Sequence, residues 1–234
     1  MTLYVAPVVE GQTEQGCVER LLHRVWVELL GAPERLQVLE PFRGQRDALV
    51  HLNGVALTDC VRKAFVKLTA KARKDPQARP LLLVLLDAEG DLPCQLAPRL
   101  LDVARAALPA DAPLACVLPR RMLENWIVAG ASTLAGVNGL PDPLPAREPF
   151  EERSGAGWLE GQLRSKNRAR KYKKTVDAEA FVRFMNLHEC RANAPSFDKL
   201  CRELEARLPQ PPEPPGTIHE AAPPDASSAS GAET

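Results

Sequence analysis

Between residues 3 and 9 apolar side chains run almost unbroken and then stop at Glu10-Gly11. A run of that length ending in a turn predicts a strand buried on both faces. The period then changes. Val18, Leu21, Leu22, Val25 and Leu29 recur at helical spacing, predicting a helix from a Thr13 cap to about residue 30. Residues 37–42 read as a second strand. Residues 55–74 read as a helix with Val61, Ala64, Phe65 and Leu68 inward, closed by Asp75-Pro76. The strongest strand signal is 80–86, apolar throughout and halted by Asp87. A helix over 95–108, a strand over 114–118 and a short helix over 122–129 complete the series. Strands alternating with helices predict an α/β fold with a mostly parallel sheet flanked by helices.

The pattern then loosens. Residues 131–157 are rich in Pro, Gly and small side chains and predict a long loop. Residues 158–174 are dominated by positive charge, and 177–187 and 196–208 carry amphipathic helical spacing. The expected organisation is an α/β domain over 1–130, the loop, and a basic, helical part over 158–208 packing on the same domain. Residues 209–234, with four acids and no Lys or Arg, predict a disordered tail.

Composition narrows the function classes. Thirty basic and thirty acidic residues give zero formal charge, so only a local patch can signal a nucleic-acid partner. The six cysteines form no Cys-x-x-Cys pair, and none has a histidine at zinc-ligand spacing. The N-terminus lacks the basic-then-apolar pattern of a signal peptide. The longest apolar run, 81–86, is too short to span a bilayer. Free thiols without an export signal predict the reducing cytoplasm.

The candidate chemistry lies where strands end. Ligands of parallel α/β sheets sit beyond the carboxyl ends of the strands, and there the chain places Glu10 and the run Asp87-Ala88-Glu89-Gly90-Asp91. Alternate carboxylates around a flexible Gly suit a hard divalent cation such as magnesium, which takes oxygen ligands. Glu10 either completes that shell or moves a proton beside it. The structural alternative is that acids after strands form turns, and that Glu14 merely favours its helix N-terminus. A second feature is the segment Arg164, Lys166, Arg168, Arg170, Lys171, Lys173 and Lys174, with seven cations and no acid over 164–174. It reads either as a phosphate-binding patch, for DNA or RNA, or as a solvated charge run.

Val9-Glu10-Gly11-Gln12-Thr13-Glu14 resembles the opening motif of TOPRIM-like proteins, and Asp87-Ala88-Glu89 resembles their later Asp-x-Asp. Glu124-Asn125-Trp126 and Tyr172-Lys173-Lys174 are similar to two further elements of a small bacterial TOPRIM-like group, domain of unknown function 4276. The resemblance covers about residues 3–208. It implies Glu10 as the catalytic glutamate, Asp87 and Glu89 as the metal pair, and Mg2+ or Mn2+ as cofactor. Asp91 is a possible substitute ligand, and related OLD-type nucleases bring in Glu124 and a lysine over 171–174. The departure is Glu89, whose extra methylene displaces the carboxylate by more than an ångström. Trp126 reads as core, Tyr172 as packed rather than as a nucleophile, and Glu124 equally as a helix N-terminal acid.

The leading expectation is therefore a magnesium-dependent nuclease. The resemblance further implies an anti-phage effector encoded beside an ATPase; no Walker-type loop occurs in this chain. The alternative is a non-catalytic module that docks to an ATPase or nucleic acid. A third reading, primase-like nucleotide addition, requires a triphosphate site that the sequence does not signal.

Overall fold

The computed structural model describes residues 1–145 and 152–209, leaving out the side chains of Gln12, Thr13 and Glu14. The predicted tail, but for its first residue, lies outside the described residues, as does part of the predicted loop. Five parallel strands form one sheet: β1 (Thr2–Val9), β2 (Arg35–Val38), β3 (Phe42–Arg43), β4 (Ala78–Leu85) and β5 (Leu114–Val117). Their order is β2-β1-β4-β5, with β3 also pairing β1, at Val8 and Val9. The predicted single strand over 37–42 is two short pieces. The break holds Pro41, which has no N–H to give the ladder.

Strand β4 shows why the sheet is central. Leu81 to Leu86 are each at most 1% exposed. Leu81, Leu83 and Leu85 enter one core cluster and Leu82, Val84 and Leu86 another, as the two-residue period of a strand requires. At roughly 1.5–3 kcal/mol for each buried aliphatic side chain, this run is a principal source of stability.

One face of the sheet is covered by α3 (Val55–Ala72) and α4 (Pro93–Ala106), with the short α2 (Arg46–Val50) beside them. The other core cluster joins α1 (Gln12–Arg24) to four later helices: α5 (Glu124–Ala129), α6 (Gly155–Lys166), α7 (Lys174–Phe184) and α9 (Pro195–Glu205). Helix α8 (Leu187–Asn193), which the spacing did not predict, joins them through Leu187 and Cys190. Gly11 occupies the N-cap of α1, so Thr13 is not the cap that the sequence suggests. Helix α1 runs on into a π turn, Val25–Leu29, that buries Trp26 against the Glu34 carbonyl. No helix among the described residues is long and apolar enough to cross a membrane.

Candidate functional site at the carboxyl edge of the sheet

From β1 the chain turns to β2 on one side and later crosses to β4 on the other. The carboxyl ends of β1 and β4 thus flank the topological switch point, where open α/β sheets bind ligands. Val9 pairs with Leu85, which sets Glu10 level with Leu86 and one residue short of Asp87. Adjacent strands lie about 4.8 Å apart. Glu10 and Asp87 are therefore neighbours along this edge.

Asp87 extends the alternation of Leu83 and Leu85 toward α5. It is 3% exposed, and its Oδ1 accepts the Leu123 amide at 2.8 Å. The loop beyond it is bound to the loop after β5. Ala88 N–H donates to the Pro119 carbonyl at 3.0 Å, and Glu89 N–H to the Arg121 carbonyl at 2.7 Å. Glu89 and Arg121, joined by that bond, both hold left-handed backbone, with φ of 50° and 67°. Non-glycine residues adopt this conformation at a cost, and such positions gather at functional sites.

Arg46, at the start of α2, grips the same loop. Its Nε donates to the Asp87 carbonyl at 3.0 Å and its Nη2 to the Ala88 carbonyl at 2.9 Å. Nη2 also meets Asp91 Oδ2 at 2.6 Å, and Nη1 lies 3.4 Å from Glu89 Oε2. The expected single shell of Glu10, Asp87, Glu89 and Asp91 is therefore not assembled. Arg46 neutralises Glu89 and Asp91, and no group of three His, Cys, Asp or Glu among the described residues is placed to hold a metal.

Glu124, the first residue of α5, follows the amide that binds Asp87. It is fully buried. Its Oε1 accepts from the Tyr172 hydroxyl at 3.3 Å and lies 3.4 Å from Lys174 Nζ. Its Oε2 is buried without a hydrogen bond among the described residues. Tyr172 lies parallel to Phe181, ring centres 6.3 Å apart, and burial followed by the Glu124 charge pushes its phenol far above the usual range. It is packed, as read. Beside Glu124, Asn125 accepts the Gly155 amide at 3.0 Å and donates to the Arg153 carbonyl at 2.7 Å. Trp126 is core: 1% exposed, edge-on to Phe197 and bonded to Ser196.

The seven cations of the basic segment divide. Arg170 turns inward to Asp177, which is fully buried and also accepts from Asn138 at 2.8 Å and the Lys173 amide at 2.7 Å. Arg164 pairs with Glu160 one helical turn away, at the surface. Lys174 lies half-exposed beside Glu124. Lys166, Arg168, Lys171 and Lys173 are exposed and form no ion pair among the described residues.

Two residues of this arrangement escaped the sequence reading. Arg46 follows a strand of only two residues, yet a parallel β3 delivers it to the same carboxyl edge as Glu10. Asp177 is an acid in the first turn of a helix that starts inside a cationic run. That contrast was the available signal.

Fold and site define an open parallel-sheet α/β protein with an acidic carboxyl edge and a cationic segment joined to it through Glu124. The chain belongs to the family described as a domain of unknown function (DUF4276), whose model matches residues 9–205. Neither the curated proteins nor the solved structures hold a match to it.

Proposed function

We propose that the protein is a metal-dependent nuclease that hydrolyses phosphodiesters of DNA or RNA with TOPRIM-like chemistry. The observation that carries the reading is one line of contacts. Asp87 binds the Leu123 amide, Glu124 comes next, and Tyr172 and Lys174 reach Glu124 from the cationic segment. Through Glu124 the end of the cationic segment thus reaches the edge that carries Asp87. The donors there are oxygens only, which suits Mg2+ or Mn2+; magnesium commonly uses one or two carboxylates and keeps several waters. Glu10 and Asp87 would hold the ion, with Glu89 and Asp91 engaged by Arg46. When bound, such an ion polarises the phosphodiester and lowers the pKa of water. Lys166, Arg168, Lys171 and Lys173 would hold the nucleic-acid backbone by neutralising phosphates. Any ATP hydrolysis would come from a partner ATPase.

The hold of Arg46 on two of the four carboxylates favours a second reading, a non-catalytic module docking to an ATPase or nucleic acid. Cleavage of plasmid, single-stranded DNA and total tRNA with Mg2+ or Mn2+ separates the two. The nuclease reading expects cutting that falls on the order of a hundredfold or more in Glu10→Gln and in Asp87→Asn. Cutting that survives both substitutions overturns the site. Salt-sensitive binding without cutting under either metal assigns the module.

A further inference from the structure

We infer that Arg46 is the positioning residue of this edge, and that Glu89 and Asp91 serve it rather than a metal. The inference deepens the nuclease reading, and only its metal arm rests on that reading. Arg46 stands on two anchors. Gly44 N–H donates to the Val9 carbonyl at 3.0 Å, tying the segment to the end of β1 beside Glu10. Leu49, fully buried, fixes α2 to the core and lies where a Cβ on Gly44 would be, 2.8 Å from its Cδ2. From that footing the guanidinium reaches the end of β4 and holds two carbonyls and two carboxylates.

The side chain therefore couples the exit of β1 to the exit of β4, and so Glu10 to Asp87. It is 13% exposed, so water competes little for its N–H groups. A planar fork spreads its donors over three nitrogens and serves carbonyls and carboxylates together; an ammonium has three donors on one nitrogen and cannot span them. Glu89 adopts left-handed backbone and leans toward Arg46. A residue bound in this way is an outer support of the loop, which accounts for a glutamate where the TOPRIM pattern has aspartate.

Two measurements on the full chain test this, using Arg46→Gln, Arg46→Lys, Glu89→Gln and Asp87→Asn. Hydrogen exchange needs no metal. Both Arg46 variants are expected to speed exchange of the Ala88 and Glu89 amides about tenfold or more, with Leu83 to Leu85 unchanged; equal protection in wild type and variants overturns the inference. Calorimetric titration with Mn2+ is the second arm. Both Arg46 variants are expected to weaken binding by about tenfold to a hundredfold, the usual cost of losing an outer support. Glu89→Gln should stay within about threefold of wild type, and Asp87→Asn should abolish binding. Tighter binding in Arg46→Gln would mean that arginine competes with the ion, and would overturn the positioning role. So would Glu89→Gln losing as much as Asp87→Asn. A wild type that binds no ion sinks the nuclease reading, while the exchange arm still decides Arg46.

Discussion

The acidic loop after β4 and the cationic segment between α6 and α7 are charged segments of opposite sign, each tied down by one residue of the other sign. Arg46 reaches into the loop from outside and engages Glu89 and Asp91, while Asp87 is held by a backbone amide. In the cationic segment the direction is reversed. One of its own members, Arg170, folds inward onto Asp177, and Lys166, Arg168, Lys171 and Lys173 remain outside ion pairs among the described residues. Charge in the acidic loop is offset by Arg46, whereas four cations of the basic segment form no ion pair among the described residues. Desolvation accounts for the buried acids, not for Glu89 and Asp91, whose side chains are 57% and 53% exposed. Asp87 and Asp177 are buried and a buried charge must be satisfied within the protein, whereas exposed cations are satisfied by water.

The largest effect expected from breaking this pattern comes from Asp177. Its two oxygens collect Arg170, Asn138 and the Lys173 amide inside the fold. Asp177→Ala leaves these donors without their acceptor and is expected to cost about 2–4 kcal/mol, discounted from the full value of a buried pair because Arg170 is 28% exposed. Urea unfolding measures it. A loss under about 1 kcal/mol would show that the segment is not anchored there.

Next comes Gly155, which packs where the two regions join. A Cβ there would lie 2.5 Å from the Glu124 carbonyl carbon and 2.6 Å from the Asn125 nitrogen. Both are backbone atoms, so the neighbour cannot swing away. Gly155→Ala is expected to cost about 1–3 kcal/mol and to disturb Glu124. Unchanged stability together with an unchanged Tyr172 environment would remove Glu124 from the junction.

These two residues show what the sequence could and could not reveal. β1 and β4 were legible because their apolar runs have no competing period, and their acidic ends followed directly. Glu10 and Asp87 could thus be paired before any coordinates. Arg46 could not, since β3 has two residues and no hydrophobic signature. The contact of Glu89 with Arg46 was hidden for a related reason: spacing shows that carboxylates are close along the chain, but not which cation will engage them. Asp177 and Gly155 owe their importance to contacts with residues far along the chain, Asn138 and Glu124, and no local pattern encodes those. Helix α6 was hidden because its glycines and charges mask a buried stripe of only Leu159 and Leu163.

A smaller effect tests whether the cations outside ion pairs among the described residues are the ones that meet phosphate. Lys171→Ala and Lys173→Ala are each expected to lower the slope of log K against log salt for nucleic-acid binding by about one. Stability should change by no more than about 0.5 kcal/mol. Arg164→Ala, with its charge already shared with Glu160, should change the slope less. Equal slopes in all three variants and the wild type would place the phosphate contacts elsewhere.

The smallest effect concerns Tyr172, which with Lys174 brings the cationic segment to the buried acid. Burial, then the charge of Glu124, raises its phenol above the ordinary value of about 10. The sign follows from linkage. A group whose folded pKa is raised contributes stability that is fully present below the unfolded pKa and is lost as pH climbs toward the folded one. The chain has two tyrosines, so a spectroscopic titration up to about pH 11 should miss the Tyr172 step. Tyr172→Phe should leave that curve nearly unchanged, while Glu124→Gln should bring a tyrosinate signal to lower pH, because a neighbouring negative charge disfavours a second one. If Tyr172→Phe instead halves the signal near pH 10, the ring is solvated, and the junction between the acidic and cationic regions is looser than the 3.3 Å hydroxyl contact implies.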